Sequence, residues 1–416
     1  MASSIVGGAF RESVILKSKK SIDPDQSTPE PTEQSSYTDV PVPHNGRPRE
    51  KVEDHYGFLY SISEKDKHYE PVLSGKKARE RERKWLKLFK TWDESYEKKK
   101  LKIKERCRKG IPPSVRGQAW QHLSGAKKLL LANAGLFDDL VSQPDNDVVT
   151  NVIDRDLDRT FPSHVLFSNP SGQADLRTVL KAYAMYNKKT GYCQAMAPVA
   201  ATLLMHMSPE ESFWVLVQIC EQYLPGYYSP GLHAFQIDAR ILAYLLEKYI
   251  PETKKFMDSK QPPSPSSSPD TSKGLDPMLY CTEWFMSLYS RSLPFNSVLR
   301  VWDMFFFEGA KMLFKVALAV IQLTFGSPKL QKDIVGFFEL TRKLRDLPIE
   351  YTHENALVPE ILKYAIHNED LRKFHLSQSS IHFTEERVRQ MEMSARRLRL
   401  HRRSLSLASD TAPSDS

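Results

Sequence analysis

The sequence of 416 residues has little of what marks several large protein classes. No apolar run reaches the roughly 18 residues that a helical bilayer span requires. The opening MASSIVGGAFRESVILKSKK lacks the long apolar stretch and cleavage site of a secretory signal, so a cytoplasmic chain is expected. Cysteine is sparse: Cys107, Cys193, Cys220 and Cys281 stand far apart with no CxxC pair, which argues against a disulfide framework or a cysteine-rich zinc site. Phosphate loops of the GxxxxGK[ST] and GxGxxG types are missing, as are HExxH, GxSxG and the EF-hand loop. These absences argue against a standard nucleotide-binding enzyme, zinc protease or serine hydrolase, and the 12 histidines are too dispersed to suggest a ligand set.

Charge and proline are unevenly spread. The formal net charge is +8, yet Lys76 to Lys109 alone holds sixteen Lys/Arg against six acids, and Glu385 to Arg403 holds seven against three. Such runs are usually solvated helix faces, and they also suit peripheral contact with acidic membranes. They lack interleaved aromatics and reader motifs, so no nucleic-acid partner is expected. Residues 1–50 are rich in Ser, Pro, Thr and Asp and too poor in apolar groups to offset the entropy of ordering, which predicts a disordered N-terminal arm. A Ser/Pro-rich insertion, DSKQPPSPSSSPDTSKG at 258–274, reads as a loop between helices. The basic tail at 376–416 ends disordered, with Ser404 and Ser406 placed where phosphorylation would reverse local charge.

Between these patches apolar residues recur at i, i+3, i+4 and i+7, as in PEESFWVLVQICEQYL, FQIDARILAYLLEKYI, MLYCTEWFMSLYSRSL and KMLFKVALAVIQLTF. Alternating strand patterns are scarce. The fold class is therefore all-α: a basic helical lead-in at 51–109, then one large multi-helical domain at 110–375, with no fixed-period repeat.

Three segments hold polar residues where a helical core would take apolar ones. If NVIDRDLDRTFP, residues 151–162, is helical, then Ile153, Leu157 and Phe161 form the inward stripe and Arg155 and Arg159 project outward. Each arginine has an acid three residues away, Asp158 for Arg155 and Asp156 for Arg159, so helix geometry leaves the two equivalent. In TGYCQAMAPVAATLLMHM, residues 190–207, Gln194 sits where a helix enters the core and Tyr192 is a packing anchor. In RKGIPPSVRGQAW, residues 108–120, Gly110 and the proline pair end the basic helix, Ser114 is placed to cap the next one, and Val115 and Trp120 point inward. Trp214, Trp284 and Trp302 lie on apolar faces and are expected in the core.

Taken in this order, the segments resemble the TBC-domain family of Rab GTPase-activating proteins. RKGIPPSVRGQAW, with Arg108 and Arg116, matches the family's opening signature, with Val115 in place of a commoner Leu. Ile153, Asp156 and Arg159 match its IxxDxxR motif; Tyr192, Cys193 and Gln194 match its YxQ motif. WFMSLYSRSLPFNSVLRVWDMFFFEG, residues 284–309, looks like its C-terminal signature, with Arg300, Trp302 and Asp303. LKAYAMYNKKTGYCQAMAPVAATLLMHM and EQYLPGYYSPGL are most similar to the carabin-like branch, in which Ala often stands, as Ala195 does, where other members have Gly.

The resemblance implies a single large TBC-type domain that accelerates GTP hydrolysis by Rab-family small GTPases and so regulates vesicle trafficking. Arg159 and Gln194 would be the catalytic fingers supplied in trans, supported by Asp156, Tyr192, Ile153, Arg108 and Arg116. It implies no cofactor and no metal of the chain's own, since GTP and Mg belong to the GTP-loaded Rab partner. The chain would be an activator and not itself a nucleotide hydrolase, cytoplasmic and peripheral at endosomal or plasma membranes. The alternative is a non-catalytic Rab-binding adaptor or scaffold that uses the same groove.

Overall fold

The computed structural model of the chain describes residues 51–61, 75–262 and 274–378. The N-terminal arm, the tail beyond 378 and residues 263–273 of the Ser/Pro insertion lie outside the described residues, and the expectations of disorder fall there. Among the described residues are twenty α-helices, one π-helical turn at Ile219–Tyr223 and a single two-stranded hairpin. The all-α expectation holds, and no helix among them is long and apolar enough to cross a membrane.

The helices form where apolar spacing and capping agree. KMLFKVALAVIQLTF is the helix Lys311–Phe325, and twelve of its fifteen residues are buried. Met196–Leu204 is buried at all nine positions. Phe295–Glu308 packs against Lys100–Lys109, Pro113–Ser124 and Lys311–Phe325, forming the middle of one half of the core. In the other half, Pro170–Tyr186 packs on Asp147–Leu157, Met196–Leu204 and Pro209–Gln218. A few starts are set by side chains that satisfy otherwise orphaned amides. Asn146 accepts from the Val148 amide at 3.2 Å and Asn169 from Ser171 at 3.1 Å, with Pro170 opening its helix. Ser208 and Glu211 form a capping box. Caps of this kind each contribute about 1 kcal/mol.

Several expectations are corrected. The span 51–109 is not helical throughout: Lys51–Glu53 and Leu59–Ser61 pair as antiparallel strands, and the first helix among the described residues is Gly75–Phe89. MLYCTEWFMSLYSRSL is helical over Met278–Met286 alone, because Leu288 and Tyr289 turn the chain with φ of 51° and 64°. Ser114 does not cap its helix; its hydroxyl donates to Glu82 Oε1 at 2.8 Å. The tryptophans at 85, 120, 214, 284 and 302 are all fully buried, as Val115 is.

Candidate functional site

The charged run at 154–159 lies across a helix end. Asp147–Leu157 buries Thr150, Ile153 and Asp156, so its inward face takes every third residue and includes a carboxylate. The stripe expected from Ile153, Leu157 and Phe161 is therefore only partly formed: Leu157 is half-buried, and Phe161 lies beyond the helix, with a left-handed φ of 47°. Thr160 ties the turn back by donating its hydroxyl to the Asp156 carbonyl at 2.6 Å.

The three aspartates share no partner. Asp154 accepts from Arg177 Nε at 2.7 Å, and Asp158 from Gln173 Nε2 at 3.4 Å. Asp156, 2% exposed, accepts from Arg159 Nε at 2.8 Å and also from the Nη2 of that guanidinium. Its other oxygen accepts from the Tyr192 hydroxyl. The Arg159 side chain stays 50% exposed above this anchor. Arg155 is exposed as well, but the expected Arg155–Asp158 pair is not formed, and among the described residues Arg155 has no ion pair.

Tyr192 brings the second motif to the same carboxylate. The loop before it is shaped by Asn187, whose Oδ1 accepts from the Thr190 amide at 3.0 Å while its Nδ2 donates to Glu221 Oε1 at 2.6 Å. Burial, then the Asp156 charge, pushes the Tyr192 phenol far above its ordinary pKa, so it remains a donor. Burial also raises the Cys193 thiol, which therefore stays protonated near neutrality and is no nucleophile. Gln194 follows, half-buried, two residues before Met196–Leu204. Its amide makes no hydrogen bond to the described residues, so both ends of the amide are available to a partner. Ile153, fully buried, lies in the core beneath the Asp156 turn.

Arg108 and Arg116, named with this group from sequence, belong to a different polar cluster. Asp303, with no exposed surface, accepts from the Ile111 amide at 2.7 Å, Trp120 Nε1 at 3.0 Å and Arg116 Nε at 3.2 Å. Burial still raises its carboxyl pKa against those partners. Arg108 donates to Glu308 at 2.8 Å, and Arg300 donates to the Arg108 carbonyl at 2.6 Å. Gly110 turns beneath Arg300 with φ 91°, where an added Cβ would stand 2.7 Å from Arg300 Nε. This network pins the RKGIPPSVRGQAW corner to Phe295–Glu308, and neither Arg108 nor Arg116 bonds to the Asp156 group.

The direct Tyr192–Asp156 bond was missed from sequence, because no local pattern links residues 36 apart. So was the hairpin, although the Asp54 and Gly57 of KVEDHYGFLYS mark its turn.

Comparison with known proteins identifies the family. The Rab-GTPase-TBC domain family matches residues 113–329. TBC1 domain family member 10A of Mus musculus is 44% identical over 78% of this chain and 63% of that protein. Carabin of Mus musculus is 40% identical over 74% of this chain and 66% of that protein. The chain thus spans just under two thirds of each of these relatives. The crystal structure of the Chlamydomonas flagellar RabGAP TBC domain is similar at a TM-score of 0.56 and 27% identity, over 75% of this chain and all of that one. With its helical fold, its paired motifs and these relatives, the chain belongs to the Rab-GTPase-TBC domain family, in the carabin-like branch.

Proposed function

We propose that the chain stimulates GTP hydrolysis by a GTP-loaded Rab-family GTPase, with Arg159 and Gln194 entering the Rab active site in trans. Intrinsic hydrolysis is slow because charge developing on the phosphoryl and leaving oxygens is poorly stabilised and the attacking water is poorly placed. An inserted guanidinium neutralises that charge, and such fingers are worth about 10³ to 10⁵ in rate. A Gln amide that accepts from the water and donates to a phosphate oxygen orients the nucleophile, replacing the Rab's own glutamine. GTP and Mg belong to the Rab, and the chain supplies no cofactor.

The observation that carries this reading is the shared carboxylate: one buried Asp156 accepts from both Arg159 and Tyr192. A solvated arginine samples many rotamers; one anchored through Nε and Nη2 keeps its Nη1 edge pointing outward, so less ordering entropy is lost on binding. Because Tyr192 bonds the same carboxylate, the Gln194 turn is held in register with Arg159. In the cell, such an activator would end Rab signalling in vesicle trafficking, acting from the cytoplasm at endosomal or plasma membranes.

The test is single-turnover phosphate release from a panel of GTP-loaded Rabs. Arg159→Ala and Gln194→Ala should each lose at least about 10²-fold of the stimulation, and Arg155→Ala should lose little. Equal losses at Arg155 and Arg159 would contradict the assignment. Binding to a GTP-loaded Rab without any acceleration would instead favour the scaffold reading.

A further inference from the structure

Residues 51–61 precede the family-matched span, yet they dock on the loop that follows Arg159. Asp54 builds the hairpin turn, its carboxylate accepting from the amides of Tyr56 at 2.8 Å and Phe58 at 2.9 Å. The turn then runs antiparallel to residues 163–165. The Leu59 amide donates to the Ser163 carbonyl at 2.7 Å, and the Val165 amide to the Gly57 carbonyl at 2.9 Å. His164 adds a third link. Its Nδ1 accepts from the Leu166 amide at 3.1 Å, so the proton sits on Nε2, which donates to the Tyr56 carbonyl at 2.8 Å. Rings close the contact: Phe58 stands edge-on to Phe161 at 5.8 Å and to His164 at 4.8 Å between centroids.

Phe161 is the residue that most needs such support. It lies two positions after Arg159, just before Pro162, in a left-handed conformation that is unfavourable for a side chain with a Cβ. Strained conformations of this kind persist only where neighbours over-determine them. Phe58 covers the Phe161 ring, and the His164 amide donates to the Phe161 carbonyl at 2.9 Å.

We propose that the hairpin at 51–61 is a brace that positions Arg159: by gripping residues 161–165 it fixes the direction in which the chain leaves the finger, while Asp156 fixes the guanidinium. The proposal rests on the reading of Arg159 as a catalytic finger. Phe58 and Gly57 are then positioning residues that never touch the Rab nucleotide. Gly57 is needed for the grip itself, since its φ is 92° and an added Cβ would stand 2.8 Å from His164 Nε2.

The test compares the full chain with Phe58→Ala, Gly57→Val and Phe58→Leu. Three things are measured: amide exchange across 160–166, thermal melting, and the kcat and KM of the best Rab from the panel. The brace predicts faster exchange across 160–166 in the first two variants, with melting largely retained. It also predicts a kcat lower by about tenfold with KM within about twofold, since a small misplacement of a catalytic group costs rate more than binding. Phe58→Leu, which keeps the apolar contact, should recover most of the rate. Unchanged exchange in both variants would overturn the docking. Faster exchange with full kcat, or a loss confined to KM, would overturn the positioning role. If the wild-type chain stimulates no Rab, the parent reading fails, and the exchange data still decide separately whether the hairpin grips the loop.

Discussion

Arg155 and Arg159 lie four positions apart in one short segment, both exposed and both with an acid three residues away, yet only Arg159 reaches a buried carboxylate. The difference comes from where the helix ends. Asp156 is on the buried face at the last turn, and the chain beyond Leu157 curls so that Arg159 folds back over it, while Asp158 turns away to Gln173. Tyr192 matters through a single bond. Tyr192→Phe should keep the fold and lower stimulated turnover by about tenfold, on the order of one charge-assisted hydrogen bond; stopped-flow phosphate release checks this, and an unchanged rate would detach Tyr192 from the site. Asp303 should behave in the opposite way. Removing it strands Arg116 and Trp120 in the interior, so Asp303→Ala should cost about 3–5 kcal/mol in urea unfolding. Activity per folded molecule should hold. A variant that is fully stable but inactive would place this corner in the catalytic machinery after all.

Among the helices and loops, legibility followed periodicity. Lys311–Phe325 and Met196–Leu204 were readable because a continuous apolar face leaves a helix no alternative place in the core. The hairpin was not, because two three-residue strands carry too little alternation to stand out and their stabilising partner, residues 163–165, is a hundred positions away. The stop after Met286 was hidden for a related reason: Leu288 and Tyr289 keep the apolar spacing going while the backbone leaves the helix. At the site, both motifs were legible as residues, but the bond joining them was not. Histidines at the packed elements give a pH signature. Burial, with Arg116 second, pushes His206 down to about 3, and burial, with Lys127 second, pushes His122 down to about 4. Unfolded imidazoles take protons near 6.5, so stability is fully present above that pH and is lost as pH falls toward about 4 for His122 and about 3 for His206. Urea midpoints should drop between pH 7 and pH 5, and His206→Gln should flatten that slope; an unchanged slope would mean His206 already titrates normally in the fold.

For the molecule as a whole, one half of the core holds the RKGIPPSVRGQAW corner on Phe295–Glu308, and the other holds the helices that bear Asp156 and lead out of Gln194. Arg159 is exposed and Gln194 half-buried beside the second group of helices. If Arg159 and Gln194 act as proposed, two fingers in trans would make the Rab's own catalytic glutamine dispensable, which neither a single-finger activator nor a scaffold would do. The most direct measurement is single-turnover phosphate release from the best-stimulated Rab with that glutamine changed to Ala, driven by the wild-type chain or by Gln194→Ala. The account predicts that the wild-type chain still accelerates the altered Rab by at least about 10²-fold and that Gln194→Ala does not. Loss of stimulation on the altered Rab with the wild-type chain, or equal stimulation by Gln194→Ala, would contradict it.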